Sequence, residues 1–261
     1  MKVNKCGSGE IYSFPMENIE RIEYIEGRCH KETAKAAYSR LKKERGREPD
    51  FLINAELFNF RTRAAASDVV ADGEVHRLTE NFGMAFPGKK SAVFCYKNNV
   101  GAKDYVGSYP VLIRNGKCEE SIPAGLGGNR GRTAIGVGNG RFYIAVVPDS
   151  AGISMQKLRT SLKSAGATDA INLDGGGSTQ GYLVGKAYLS SRAVRGFVGV
   201  WLKQDLRRVS VRTSLNVRSG PSILHKRVGK LYNGDVVRVL ETKLGFCRTP
   251  AGWVSALYLK G

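Results

Sequence analysis

Three consecutive glycines, Gly175–Gly177, follow directly on the run Ala170-Ile171-Asn172-Leu173-Asp174. Glycine loses more backbone freedom on ordering than any other residue, so a triple of them has no place inside a helix or strand. The segment must be a loop leaving a short buried strand, one that lets another group approach the main chain closely. On the residues alone two readings stay open. In one, Asp174 is a rigid carboxylate at a strand end beside a ligand loop. In the other, it caps the backbone amides of a tight turn.

The flanking segments set the fold class. Residues 31–45, KETAKAAYSRLKKER, place Ala34, Ala37, Tyr38 and Leu41 at helical spacing, and Gly46 and Pro49 end that helix. Phe51–Ile53 is a short apolar strand ending at Asn54, and 68–118 reads as short β-segments with hairpin turns at Asp72-Gly73 and Asn115-Gly116. An irregular glycine-rich stretch runs through residue 130. Ala134–Val137 and Phe142–Val147 are then two strands joined by Gly138-Asn139-Gly140. Ser154 caps a helix with Met155, Leu158 and Leu162 on one face, and Gly166 stops it. Phe197–Leu202 is the last strand of this part. The pattern predicts an α+β fold built on a mixed sheet, with its chemistry on loops at strand ends.

Near Lys203–Arg208 the helical period disappears. Residues 209–261 read as short strands with turns at Ser219-Gly220-Pro221, Asn233-Gly234 and Ala251-Gly252, and about 53 residues of this kind suit a small all-β barrel. The predicted domains are therefore 1–204 and 205–261.

Charge narrows the partners. Lys+Arg exceed Asp+Glu by 41 − 23 = +18, and from residue 205 onward by 11 − 3 = +8, so the tail carries the denser charge. An anionic partner follows: nucleic acid, acidic lipid or an anionic wall polymer. Nucleic-acid binding would rest on charge alone, since no helix-turn-helix, zinc finger or aromatic-basic strand motif is present. Five scattered cysteines without a C-x-x-C pair read as free thiols, not as a disulfide framework or zinc site. No cofactor motif is found and no metal cluster is visible, although Asp149, Asp174 and loop carbonyls would suit a calcium ion. No apolar run is long enough to cross a bilayer. The opening MKVNKCGSGEIYSFP lacks the apolar stretch of a signal peptide. The expectation is a chain made in the cytoplasm that acts outside only if released.

Two familiar motifs fail. Gly125–Gly131 has five residues between its glycines where a phosphate-binding P-loop has four, and it leads into a strand. Gly176-Gly177-Ser178 lacks the closing glycine of a hydrolase elbow, because position 180 is Gln180. Asp149, after the strand ending at Val147, offers a second carboxylate level with Asp174 if that strand neighbours 170–173; otherwise it caps a turn. Arg132, just before a strand, either clamps an anion or is one surface arginine among many.

Arg132-Thr133-Ala134-Ile135-Gly136, a strand leading to Asp149, a helix and then Asp169-Ala-Ile-Asn172-Leu-Asp174-Gly-Gly-Gly-Ser178 together resemble the phosphodiester glycosidase family. The likeness extends to Ile53-Asn54-Ala55-Glu56-Leu57-Phe58, Pro110–Gly116 and Val194-Arg195-Gly196, covering roughly 50–202. Ala55 and Glu56 stand where the family usually has glycines, and Ser150 where it usually has one after the Asp. The tail, through Leu215-Asn-Val-Arg-Ser-Gly-Pro-Ser222, Gly234-Asp-Val-Val237 and Gly252-Trp-Val254, resembles bacterial SH3-like domains, which commonly bind peptidoglycan. Trp253 and Val254 are expected to fill its core, and exposed aromatics such as Tyr232 or Tyr258 to make any binding contacts.

The resemblance implies hydrolysis of a sugar-1-phosphodiester, releasing the sugar and leaving a phosphomonoester. It assigns Arg132 to the phosphate with the Gly175, Gly176 and Gly177 amides as further donors, Asp174 as nucleophile or general base, and Asp149 as its partner. Asn54 and Ser178 would bind sugar hydroxyls, with Thr133, Asn172 and Arg195 as further substrate contacts. Glu56 is either an added catalytic carboxylate or a local substitution. The implied partners are a sugar phosphate and a peptidoglycan or teichoic-acid-like polymer at a bacterial cell wall, a phage or prophage protein being one setting. The rival readings are a non-catalytic binder of anionic polymer, suggested by Glu56 and Ser150, and a basic nucleic-acid-binding protein.

Overall fold

A computed structural model describes residues 1–122 and 125–260. The irregular stretch expected through residue 130 includes Pro123 and Ala124, which lie outside the described residues. Two compact units divide the chain, Lys2–Leu202 and Lys203–Gly261.

The larger unit opens with three strands that the sequence reading left unassigned: β1 (Lys2–Cys6), β2 (Gly9–Pro15) and β3 (Ile19–Glu26). Helix α1 (Ala34–Arg45) and β4 (Phe51–Asn54) follow, then five short strands, β5 (Val69–Ala71), β6 (Glu74–Arg77), β7 (Phe82–Ala85), β8 (Val93–Tyr96) and β9 (Tyr105–Gly107). Next come β10 (Val111–Arg114), β11 (Lys117–Cys118), β12 (Arg132–Gly138), β13 (Arg141–Val147), helix α2 (Met155–Ala165) and β14 (Asp169–Asn172). The unit closes with β15 (Gly181–Leu183), β16 (Lys186–Tyr188) and β17 (Gly196–Leu202).

These strands form three sheets, ordered β1-β2-β13-β12-β14-β10-β11, β16-β15-β4-β17-β3 and β6-β5-β9-β7-β8. The fold is α+β and mostly β. Where a mixed sheet was expected, the ladders of the first sheet are antiparallel. The reason lies in α2, which carries the chain from β13 past β12. β14 therefore runs in the same direction as β13 and pairs antiparallel with β12, which lies between them.

Local chemistry fixes the helices. Thr33 accepts the Ala36 amide at the start of α1, and Ser154 accepts that of Lys157 at the start of α2. Gly46 and Gly166 end them in the left-handed region, at φ 76° and 106°. Met155, Leu158 and Leu162 of α2 pack on Ile113, Ala134 and Tyr143 of the first sheet. Ala34, Ala37 and Leu41 of α1 pack on Ile25, Leu52 and Phe197 of the second. The two sheets meet through Tyr12 and Phe14 of β2 against Phe51 of β4, at ring separations of 5.4 and 5.0 Å.

The smaller unit is all β. It contains β18 (Asp205–Val209), β19 (Ser214–Arg218), β20 (Arg227–Tyr232), β21 (Val236–Val239), β22 (Glu241–Lys243), β23 (Phe246–Thr249), β24 (Gly252–Ser255) and β25 (Leu259–Lys260). They form two sheets, β21-β18-β25 and β20-β19-β24-β23-β22. Val209, Leu215, Val217, Val237, Cys247, Val254 and Leu259 make its core. Val254 fills the interior as expected, but Trp253 is only half-buried, because successive residues of β24 point to opposite faces. Tyr232 and Tyr258 are 60% and 47% exposed. Among the described residues no helix is long and apolar enough to cross a membrane.

Each unit has its own core, so Leu215→Ala is expected to lower one calorimetric transition by an amount equivalent to about 3 kcal/mol and to leave the other in place. Differential scanning calorimetry of the whole chain reads this directly.

Candidate active site

The end of β4, the start of β12 and the end of β14 come together at one edge of the larger unit. Register places Ala134 opposite Asn172, and the Leu173 amide donates to the Thr133 carbonyl at 2.9 Å. The chain then reaches across to the second sheet, where the Asp174 amide donates to the Ala55 carbonyl at 2.9 Å. Asn54 secures this crossing. Its Nδ2 donates to the Asp174 carbonyl at 2.8 Å, while its Oδ1 accepts the Thr133 hydroxyl at 2.7 Å and the Gln180 amide at 3.1 Å. Asn54 and Thr133 are both fully buried. Both were expected at the sugar; here their polar atoms join the sheets. Asn172 is also enclosed, its Nδ2 donating to the Tyr109 and Leu173 carbonyls.

Each glycine of the loop answers a different need. A Cβ on Gly175 would come within 2.7 Å of the Gly131 carbonyl oxygen. Gly176 adopts φ 58° and donates its amide to that same carbonyl at 2.8 Å. A Cβ on Gly177 would lie 2.8 Å from the Arg192 guanidinium. The Gly175 amide donates to Asp174 Oδ1 at 2.9 Å. Thus two of the three amides expected at a phosphate are engaged, one by Asp174 and one by the Gly131 carbonyl.

The carboxylates sort differently from the expectation. Asp149 does not sit on a strand next to β14, because β12 lies between, and its Oδ1 accepts the Gly131 amide at 2.6 Å. It serves as a turn cap beside the loop. Asp174 is half-buried. Burial raises its pKa, while the Ser178 hydroxyl, the Gly175 amide and the Arg192 charge favour its ionised form. Ser178 is fully buried behind it, so it meets Asp174 rather than a sugar. Glu56, two residues beyond Asn54, is enclosed entirely and burial pushes its carboxyl up to about 7. Its Oε1 accepts the Tyr24 hydroxyl at 2.7 Å and faces Arg195 Nε at 3.3 Å, and its Oε2 has no hydrogen-bond partner. The negative charge of Asp174 also acts on Glu56 and favours its neutral form.

The arginines change places. Arg132 was expected at the phosphate, yet it is 2% exposed. Its Nε donates to the Ile153 carbonyl at 3.0 Å, and its Nη2 to those of Leu126 and Gly128 at 2.9 and 2.8 Å. The guanidinium is a brace for surrounding loops. Arg195, expected on substrate, is buried between Glu56 and Glu26. The exposed guanidinium beside Asp174 belongs to Arg192, which the sequence reading missed; in a chain with 41 Lys and Arg nothing in its local sequence marks it. Among the described residues no cluster of three or more His, Cys, Asp or Glu is arranged to hold a metal ion.

Residues 49–201 match the family model for phosphodiester glycosidase, and residues 213–260 match that for the bacterial SH3 domain. Among solved structures, the chain is similar to the catalytic domain of zebrafish N-acetylglucosamine-1-phosphodiester alpha-N-acetylglucosaminidase auto-inhibited by its pro-peptide. That match has a TM-score of 0.60 and 18% identity, covering 75% of this chain and 77% of that one. A hypothetical protein from Synechocystis is similar with a TM-score of 0.57 and 14% identity, covering 77% of this chain and 61% of that one. At such identities the likeness is one of fold. A search of curated protein sequences gives no match.

A carboxyl raised from an ordinary 4.5 to about 7 by folding stabilises the protein fully below pH 4.5, and that stability is lost as pH rises through 7. Urea unfolding between pH 5 and 8 should therefore lose about 3 kcal/mol to Glu56 ionisation. In Glu56→Gln that part of the slope should disappear.

Proposed function

This chain belongs to the phosphodiester glycosidase family, and from that premise we propose that it hydrolyses a sugar-1-phosphodiester, with its SH3 unit holding the enzyme on an anionic cell-wall polymer. Water adds at the anomeric carbon as the bond from that carbon to the phosphate oxygen breaks, giving the free sugar and a phosphomonoester. A phosphate oxygen leaves as a weak base. The reaction accordingly depends less on a general acid than ordinary glycoside hydrolysis does, and more on stabilising the departing anion.

The observation that carries this reading is the pairing of Asp174 with Glu56. Asp174 stands at the solvent-facing end of a buried strand, its backbone tied to Ala55 and Asn54. Such a carboxylate is held in place to act at the anomeric carbon, as base toward water or as nucleophile. Glu56 has no exposed side-chain surface and acts as a positioning residue behind it. Near neutral pH its retained proton removes a like charge from beside Asp174, keeping that group ionised and the site open to an anionic substrate. Glu56 thus takes a supporting role, where the sequence left open an added catalytic carboxylate or a local substitution.

The SH3 unit supports the wall-polymer assignment through its +8 charge and its exposed Tyr232 and Tyr258. Teichoic-acid-like sugar-phosphate polymers unite both preferences in one substrate.

A ³¹P NMR time course on a sugar-1-phosphodiester panel that includes purified wall teichoic acid tests the reading. Phosphomonoester should appear with the wild type, and Asp174→Asn should slow it by at least about a thousandfold. Inversion at the released sugar would identify Asp174 as base, retention as nucleophile. If every diester stays intact while the protein still sediments with cell walls, the chain is a binder and not an enzyme.

The pH profile supplies a second check. The kcat/KM curve should be bell-shaped, its acid limb set by Asp174 above the ordinary carboxylate range and its alkaline limb near 7 set by Glu56. Glu56→Gln should retain activity and lose the alkaline limb.

A further inference from the structure

We propose that Arg192 is the anion-binding residue of this site, its guanidinium holding a non-bridging phosphate oxygen, with the exposed ring of Phe60 as the adjoining platform for a substrate ring. The inference rests on the phosphodiester reading for its substrate, but the anion site itself rests on geometry.

Arg192 is placed with care. Its guanidinium lies over the glycine loop, 2.8 Å through Nη2 and 3.2 Å through Nη1 from where a Gly177 Cβ would stand. Nη1 also meets the Ser178 hydroxyl at 3.3 Å, and the Arg192 charge acts on Asp174. The backbone beneath is pinned from two sides. Gln180 Nε2 donates to the Arg192 carbonyl at 2.8 Å, and Ser190 Oγ accepts the Arg192 amide while donating to the Gly177 carbonyl at 2.6 Å. Phe60, 60% exposed, lies with its ring 4.9 Å from the guanidinium carbon.

Its partners set it apart from the other two arginines of this region. Arg132 is bound by backbone carbonyls, and Arg195 lies against the carboxyl groups of buried Glu56 and half-buried Glu26. Arg192 is exposed and, among the described residues, forms no ion pair. A guanidinium presents paired N–H donors that match phosphate oxygens, and the ring beside it fixes its plane. As the bond between the anomeric carbon and oxygen breaks, a phosphodiester monoanion becomes a phosphomonoester carrying one more negative charge. A fixed cation next to that oxygen lowers the barrier by binding the more charged state more strongly. A side chain at position 177 would displace this guanidinium from its place over the loop.

The test separates anion binding from turnover. Inorganic phosphate and N-acetylglucosamine 1-phosphate are titrated into wild type, Arg192→Gln, Arg192→Lys and Phe60→Ala by isothermal calorimetry, with circular dichroism and melting temperature recorded for each. Arg192→Gln should weaken both ligands at least about tenfold, and Arg192→Lys should recover part of the loss. Phe60→Ala should weaken the sugar phosphate more than phosphate. In a second arm, kcat/KM is measured on the methyl phosphodiester of N-acetylglucosamine 1-phosphate and on the 4-nitrophenyl glycoside of the same sugar. Arg192→Gln should cost about 100- to 1000-fold on the diester and under about tenfold on the glycoside, which has no phosphate for the guanidinium to hold. Unchanged phosphate affinity in a folded Arg192→Gln, absence of phosphate binding by wild type, or equal losses on both substrates would each overturn the proposal. Should the wild type turn over no diester while Arg192→Gln still loses phosphate affinity, the hydrolase reading falls and the anion site stands.

Discussion

The carboxamide of Asn54 holds two sheets in one arrangement. From the end of β4 its Oδ1 accepts the Thr133 hydroxyl from the other sheet and the Gln180 amide from beyond the glycine loop, and its Nδ2 donates a hydrogen bond to the Asp174 carbonyl. Inside a protein a fully satisfied polar network of this kind is rigid, and leaving any member unpaired is costly. Hence the strand end bearing Asp174 cannot shift without breaking several bonds together. The two-sheet packing through Phe14 and Phe51 holds the layers close, and Asn54 sets their register at the functional edge.

Around that fixed point, burial sorts groups of like chemistry into unlike roles. Glu56 and Asp174 are both carboxyls, yet full enclosure leaves Glu56 holding a proton near neutral pH, while Asp174 reaches the edge with a hydroxyl, an amide and an exposed guanidinium favouring its ionised form. The arginines are divided in the same way. One braces loops, one packs between Glu56 and Glu26, and one faces solvent. The net charge of +18 describes the attraction between the whole chain and a polyanion, whereas the proposed chemistry at the loop depends on the single exposed guanidinium of Arg192.

Much of the fold was legible because it is coded locally. Thr33 and Ser154 with Gly46 and Gly166 bound the helices, and the turns at Asp72-Gly73, Asn115-Gly116 and Asn139-Gly140 fall where the chain reverses. The first three strands were not read. In β3 the burial pattern is not a clean alternation, so the period-two signal of a half-exposed strand is missing. The placement of Asp149 level with Asp174 depended on a strand order, and β12 lies where contact with β14 had been supposed. Sequence shows which segments are strands; it does not show which strand a crossover helix passes.

The sequence by itself determined the elements, the glycine loop after a buried strand, the basic all-β tail and the family likeness, since each is written in contiguous residues and short-range sterics. Only the tertiary structure decided which polar groups remain available for a substrate. Asn54, Thr133 and Arg132 carry the chemistry of a binding site but are consumed by partners from 79 residues away, in the pair Thr133–Asn54, down to a few residues away, in the pair Arg132–Gly128. Arg192 has no local distinction and becomes the exposed cation at Asp174. Availability is a property of what packs against a group, and that is settled when distant segments meet and water is excluded.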